Sequence, residues 1–197
     1  THPRSSAASD VYKRQHIESN DIVSYLDETF DIPKLIPSNH RGRILEQLNT
    51  EDELHLDLRT LTFGFCLPKF LTRKPPAALN ALESNEGTVE GKIDSHKKVQ
   101  LAFWRELAEH GVTADQAINS AKRFNDAFSS VEHQLANQTF LYGNEISIVD
   151  IVWFIYAHRL RSTGYPFKRL HPGLECWYRA ILSRPEIVKE VADPVPL

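Results

Sequence analysis

The sequence predicts an all-helical protein, and three observations support that fold class. Apolar residues recur three and four positions apart in several segments, whereas nothing from residue 31 onward alternates with period two over a useful length. Residues 148–157 are apolar nearly all round, which is typical of a helix in the middle of a bundle. The clearest amphipathic segment contains Ala117, Ile118, Ala121, Phe124, Phe128, Val131 and Leu135. We therefore expect about seven helices around one core.

Capping residues predict where the two central helices begin. Residues 113–116 read T-A-D-Q, which is a capping box ahead of the amphipathic segment. Ser147 is followed three positions later by Asp150, which is a second box ahead of the apolar segment. We assign Ser147 and Asp150 a structural role, so that replacing either residue should damage folding first.

Spacing and helix breakers predict the remaining elements. Helical spacing covers residues 19–30, a long helix covers about 38–65, and another helix covers 99–110, closed by Gly111. Residues 68–91 contain two prolines and two glycines and are predicted to be an irregular connection. Pro172 predicts the first turn of a further helix, and the segment S-R-P-E at 183–186 predicts a short last one.

Composition and charge exclude several function classes. The chain has 197 residues, 41% of them hydrophobic, and a net charge of -3, so it offers no basic surface for nucleic acid or an anionic membrane. Its two cysteines, Cys66 and Cys176, form neither a disulfide framework nor a zinc motif, and we expect buried, unreactive thiols. We therefore expect a cytoplasmic protein without a metal, a nucleic-acid partner or a membrane partner.

The first fifteen residues differ from the rest of the chain. Residues 5–15 (SSAASDVYKRQ) have no apolar periodicity, which is compatible with a disordered tail. They also correspond to the translation of a transposase adapter used in preparing sequencing libraries. We favour this second interpretation and exclude residues 1–15 from the fold as non-native or disordered. The biological sequence is then expected to begin near His16.

Three phrases of the sequence resemble the glutathione S-transferase family in order and spacing. They are IESNDIVSYLDETF, FLYGNEISIVDI and LHPGLECWYRAILSRPEI, and the resemblance covers residues 16 to about 191. It implies that residues 38–192 form the family's all-helical C-terminal domain. It also implies that residues 16–31 are the last part of a thioredoxin-like α/β domain that binds glutathione. The family's first strand and its thiol-activating residue have no counterpart here, so we expect the chain as written to be inactive.

The resemblance places glutathione at Glu18 and Ser19, which match the family's E-S pair. A helix N-terminus carries free N–H groups and a partial positive charge, and both suit the carboxylate of the γ-glutamyl group. Glu18 could accept a hydrogen bond from the α-ammonium group. The alternative is that Ser19 is an ordinary helix N-cap.

A second candidate site lies on the predicted long helix. Glu51, Asp52, His55 and Arg59 share one face of that helix, which in the family borders the cleft for the electrophile. His55 is a candidate acid or base, and Arg59 could contact an anionic substrate. The alternative is a solvated face carrying ion pairs between helix neighbours.

The resemblance implies an enzyme that conjugates the thiolate of glutathione to electrophilic small molecules in detoxification. Glutathione would be a substrate, and the intact protein would be a homodimer. Two alternatives remain open because a fold does not fix a function. One is a glutathione-dependent isomerase or dehalogenase of the same fold. The other is a non-catalytic module of this fold that mediates protein interactions.

Overall fold

The computed structural model describes residues 8–9, 15–16, 19–30, 33–84, 88–89, 92–93 and 95–191. Helices form most of this part of the chain, as the sequence predicts. The helices are α1 (Ser19–Thr29), α2 (Arg41–Asp52), α3 (His55–Phe65), α4 (Lys69–Thr72), α5 (Pro76–Ser84), α6 (Ser95–His110), α7 (Ala114–Leu135), α8 (Ile148–Arg161), α9 (Phe167–Leu170), α10 (Pro172–Leu182) and α11 (Pro185–Val188).

Four very short strands accompany the helices. β1 (Ala8–Ser9) pairs antiparallel with β2 (Gln15–His16), within and just after the predicted tail. β3 (Thr88–Val89) pairs in the same way with β4 (Lys92–Ile93) between α5 and α6. Each pair forms a separate two-stranded sheet, and among the described residues the core consists mostly of helical side chains.

The predicted long helix over residues 38–65 is wrong, because the chain breaks between α2 and α3. Glu53 and Leu54 form a turn there, and the N–H of Leu54 donates to the carbonyl of Glu51, 2.9 Å away. This bond spans three residues instead of four, which tightens the helix and changes the direction of the chain before α3. Leu54 is buried, so the break places its side chain in the core.

The predicted irregular connection over residues 68–91 is also wrong in part, since it contains α4 and α5. Pro76 occupies the first position of α5, where a missing N–H costs nothing. Leu79 is buried and fixes α5 to the protein. The split long helix, α4, α5 and α9 account for the difference from the seven helices predicted.

The core is built around α7 and α8. Phe128 of α7 is fully buried, with its ring centroid 5.7 Å from that of Trp153 on α8 and 5.1 Å from that of Phe167 on α9. At the start of α7, Thr113 Oγ1 accepts from the N–H of Gln116, and Gln116 Oε1 accepts from the N–H of Thr113. The two most strongly patterned segments thus form the centre of the bundle.

The carboxylate of Asp150 joins three parts of the fold. It is fully buried in the first turn of α8, and its Oδ2 accepts from the N–H and hydroxyl of Ser147 at 2.9 and 2.7 Å. Its Oδ1 accepts from the N–H of Leu141 at 2.9 Å and from Nε1 of Trp177 at 3.1 Å. One side chain therefore fixes the start of α8, the preceding loop and α10.

A second buried carboxylate anchors the segment after α1. Asp27 Oδ1 accepts from the N–H groups of Leu35 and Ile36 at 2.6 and 3.2 Å. The carbonyl of Leu35 in turn accepts from the N–H of Ile148 at 3.0 Å. α1 is thereby tied to the start of α8.

Within the described part of the chain, none of the helices is long and apolar enough to cross a membrane.

We expect Asp150→Ala to lower the free energy of unfolding by at least roughly 3 kcal/mol, because it strands three buried N–H donors. Urea denaturation measures this change. Asp115→Ala is the matched control, since Asp115 occupies the first turn of α7 but is exposed. The control should cost less than about 1 kcal/mol, as expected for an exposed charge at a helix N-terminus. Equal losses in the two variants would contradict the structural role of Asp150.

Candidate functional site

The structure describes only part of the predicted glutathione site. Ser19 is the first residue of α1, whereas Glu18 lies outside the described residues. The geometry of this pair around glutathione therefore stays a prediction. The helix that would present it is eleven residues long, and Asp27 fixes its other end.

The second predicted site is brought together across the break between α2 and α3. Glu51 and Asp52 end α2, and His55 and Arg59 lie on α3. Tyr156 and Arg159 of α8 join them, since Tyr156 hydrogen-bonds Glu51 and Arg159 acts electrostatically on His55 and Arg59. We refer to these six residues as the α3–α8 cluster.

Sequence reasoning missed Arg159 as a member of this site and favoured core packing for Tyr156. Their three-residue spacing puts both on one face of α8, and this signal was present in the sequence. What the sequence lacked was the direction of that face. α8 packs against both α2 and α3, so its Tyr156 face meets the end of α2.

Glu51 is the acidic group of the cluster that is placed to exchange protons. It is 7% exposed, and burial raises the pKa of its carboxyl to about 7, assisted by the negative charge of Asp52. The hydroxyl of Tyr156 donates to Glu51 and partly offsets the rise. Burial and Glu51 together raise the pKa of Tyr156, which therefore stays a neutral donor. A carboxyl of this kind holds or releases a proton near neutral pH.

The opposite side of the cluster carries positive charge. Burial lowers the pKa of His55, and the nearby charges of Arg59 and Arg159 lower it further. Burial and the charge of Arg159 also lower the pKa of Arg59. Two guanidinium groups thus repel each other in a partly buried place, and an anionic group bound between them would relieve that repulsion.

An aromatic surface adjoins these charges. Trp104 of α6 contacts Phe63 of α3, with ring centroids 5.5 Å apart. The guanidinium carbon of Arg59 lies 5.9 Å from the Trp104 ring centroid, and Lys74 Nζ lies 4.3 Å from it. Arg59 also donates to Gln100 on α6, which fixes its position. A planar apolar group of a ligand could therefore pack on this aromatic surface, beside the positive charges of Arg59 and Lys74.

The two cysteines differ from their prediction. Cys66 is half-buried near the cluster, and burial raises the pKa of its thiol. Cys176 is exposed, so its predicted burial is wrong. It lies on the outer face of α10, opposite Leu174 and Trp177, whose side chains enter the core.

The other two residues singled out from the sequence, Ser147 and Asp150, lie in the core and do not belong to the cluster. The hydroxyl of Ser147 donates to Asp150, and Asp150 also accepts from Nε1 of Trp177 in the core. Among the described residues, no group of three or more His, Cys, Asp or Glu side chains has the arrangement of a metal site.

We predict that Glu51 makes folding pH-dependent. Its pKa is higher in the folded protein than the ordinary value of 4.5, so its contribution to stability is full below pH 4.5 and is lost as pH rises through about 7. The loss should amount to roughly 3 kcal/mol. It is measured as the difference between wild type and Glu51→Gln in urea denaturation across this range. Taking this difference removes the pH dependence that comes from His55, which is common to both proteins and opposite in sign. Parallel stability curves for the two proteins would contradict the assignment.

Comparison with known proteins shows which family this chain resembles. The model of the glutathione S-transferase C-terminal domain matches residues 95–185. Glutathione S-transferase U27 of Arabidopsis thaliana is 24% identical over 119 residues, which are 53% of this chain and 52% of that protein. The chain therefore spans about half the length of the curated relative that it matches.

Two solved structures share the fold. The beta-etherase LigF from Sphingobium sp. strain SYK-6 superposes with a TM-score of 0.70 at 22% identity, covering 90% of this chain and 73% of that one. A glutathione S-transferase from Rhodospirillum rubrum F11 gives a TM-score of 0.54 at 16% identity, covering 95% and 71%. The predicted resemblance to the glutathione S-transferase family and the predicted helical fold are both confirmed by these matches.

Proposed function

We propose that this chain, which carries the C-terminal domain and the fold of the glutathione S-transferase family, serves in an enzyme that joins glutathione to electrophilic small molecules. The support is the family match together with the resemblance of the E-S pair before α1. In the proposed reaction the glutathione sulfur attacks an electrophilic carbon and forms a C–S bond. The leaving group departs with the electron pair of the bond that breaks, either as a stable anion such as chloride or as a more basic anion such as an aryloxide, which then takes up a proton.

The observation that carries this proposal is the charge arrangement of the α3–α8 cluster. Arg59 lies beside the Trp104 ring, and the positive charge of Arg159 is close enough to Arg59 to lower its pKa. An electrophile held on that ring would develop negative charge at its leaving group, and positioned cations stabilise such charge in the transition state. Glu51, with a pKa of about 7, is the group we propose to supply the proton.

The glutathione end of the site is proposed at Glu18 and Ser19. The N-terminus of α1 would receive the γ-glutamyl carboxylate, and Glu18 would pair with the α-ammonium. The corresponding division of the chain is residues 16–31 for the glutathione-binding domain and 38–192 for the helical domain. Residues 1–15 would belong to neither of them.

We further propose that the thiol-activating residue is not among the described residues, so that the chain as written is inactive. Cys66 supports this, because its raised pKa keeps the thiol protonated. A homodimer, a cytoplasmic location and a role in detoxification are proposed on the family resemblance alone.

Glutathione-dependent ether cleavage is a second candidate function. One structure that shares the fold is that of a beta-etherase. In that reaction the glutathione sulfur would displace an aryloxide, and the C–O bond would break as the C–S bond forms. An aryloxide is a planar anion, which suits the adjoining Trp104, Arg59 and Arg159. Release of a phenol from an aryl alkyl ether, without chloride release from a chloroaromatic substrate, would favour this candidate.

The test measures glutathione-dependent turnover of 1-chloro-2,4-dinitrobenzene and of an aryl alkyl ether by the protein expressed from its complete reading frame. Arg159→Gln should lower kcat/KM for the electrophile about tenfold, the loss expected for one stabilising charge near the reacting atoms, and leave the KM for glutathione unchanged. Ser19→Ala should show the reverse pattern, with a raised KM for glutathione.

Arg105→Gln is the matched control, because Arg105 pairs with Glu83 on the surface of α6 and α5. It should leave all constants unchanged. Absence of glutathione-dependent turnover, together with absence of glutathione binding in calorimetry, would overturn the proposal in favour of a non-catalytic module. Equal effects of Arg159→Gln and Arg105→Gln would remove the α3–α8 cluster from the site.

A further inference from the structure

We propose that a cleft at the C-terminal end of α8 binds an aromatic anion that carries two or more negative charges, such as an aryl phosphate. This site is separate from the α3–α8 cluster and does not take part in the proposed transfer reaction. The cleft has a volume of about 600 Å³, which lies within the range of small-molecule sites. We call it the basic cleft and define it by Arg161, Tyr165, Lys168, Arg169, Glu175 and Arg179.

The charge of the basic cleft is opposite to that of the chain. Four cationic side chains line it against the single carboxylate of Glu175, which gives a local excess of three positive charges. The whole chain carries a net charge of -3. A positive concave region on a negative protein concentrates anions locally, because the walls of a cleft focus its electric field.

A buried carboxylate organises these cations. Glu175 is 6% exposed, and its Oε1 accepts from Nε of Arg179 at 2.7 Å while its Oε2 accepts from Arg161. Burial alone would raise the pKa of Glu175, but the hydrogen bonds from Arg179 and Arg161 outweigh it and lower the pKa. Glu175 therefore stays charged and holds both guanidinium groups in place.

Each of these arginines keeps donors for a ligand. A guanidinium has five N–H donors, and the bonds to Glu175 use only some of them. Lys168 and Arg169 follow on α9, and among the described residues neither of them forms an ion pair with a carboxylate. Planar N–H pairs match the oxygen geometry of a phosphate or carboxylate, which selects the anionic end of the ligand.

The aromatic requirement comes from the rings beside the charges. The guanidinium carbon of Arg161 lies 4.7 Å from the centroid of the Tyr178 ring. Tyr178 is only 3% exposed and is itself stacked on Phe154, with centroids 5.1 Å apart and planes 18° from parallel, so it positions Arg161. Tyr165 is half-buried and lines the cleft. A ligand with a planar ring could therefore contact Tyr165 while its charges meet the cations.

The position of α8 separates the two sites. Arg159 belongs to the α3–α8 cluster and Arg161 to the basic cleft, and residues two apart on a helix project about 200° from each other. The basic cleft is formed by the end of α8 with α9 and α10, whereas the cluster uses α2, α3 and the other face of α8. Binding at one face thus leaves the other face accessible.

The test titrates the protein with 1-naphthyl phosphate and follows the fluorescence of the naphthyl ring. 1-Naphthol and inorganic phosphate serve as separate ligands that carry only the ring or only the charge. We expect 1-naphthyl phosphate to bind at least about tenfold more tightly than either, and its affinity to fall as salt is raised. Excess glutathione should not displace it, which distinguishes this site from the proposed active site.

The variant Lys168→Gln/Arg169→Gln removes two exposed cations that form no ion pair with a described carboxylate, so folding should be unaffected. It should weaken binding about tenfold, while Lys98→Gln, an exposed lysine on α6, should not. The proposal is overturned if the double variant binds as wild type does, if 1-naphthol binds equally well, or if glutathione displaces the ligand. Absence of binding at about 1 mM ligand and low salt also overturns it.

Discussion

The four hydrogen bonds to Asp150 are the constraint on which the rest of the structure depends. A fully buried carboxylate is costly unless every lone pair is used, and here each oxygen accepts two bonds. The charge also lies in the first turn of α8, where the helix dipole favours it. These hydrogen bonds therefore form only when the start of α8, the loop at Leu141 and Trp177 on α10 are all in their native positions.

The position of α8 then determines what the protein can bind. One face of α8 directs Tyr156 and Arg159 toward α2 and α3, where burial produces the unusual acid Glu51. Another face directs Arg161 toward Glu175 on α10. A shift of α8 by one residue would separate Tyr156 and Arg159 from α2 and α3, and would also separate Arg161 from Glu175. The packing of this helix therefore affects both the stability of the fold and each proposed binding event.

The parts of the fold that local patterns specify were predictable from the sequence. α7 and α8 have long apolar repeats and capping residues within four positions of each other, and both form as expected. The break at Glu53 and Leu54 was not predictable, because both residues suit a helix and only packing in the bundle favours the turn. α5 was missed because its opening proline was interpreted as a loop signal.

The candidate sites show the same division between local and distant information. His55 and Arg59 could be selected because they are neighbours on one helix, but Arg159 is a hundred positions further along the chain. Glu175 resembles any charged residue near a helix N-terminus, and its role appears only when Arg161 and Arg179 are seen on either side of it. Contacts between segments that are distant in the sequence determine the chemistry of both sites. The spacing of residues within one segment does not predict such contacts.

Native-state hydrogen exchange at the amides of Leu141 and Ser147 tests the central claim most directly. Both N–H groups donate to the Asp150 carboxylate. If that carboxylate holds the bundle together, the two amides exchange only through global unfolding, with the same free energy as the core amides of α7. Exchange of these amides through local opening, while the amides of α7 stay protected, would contradict the account.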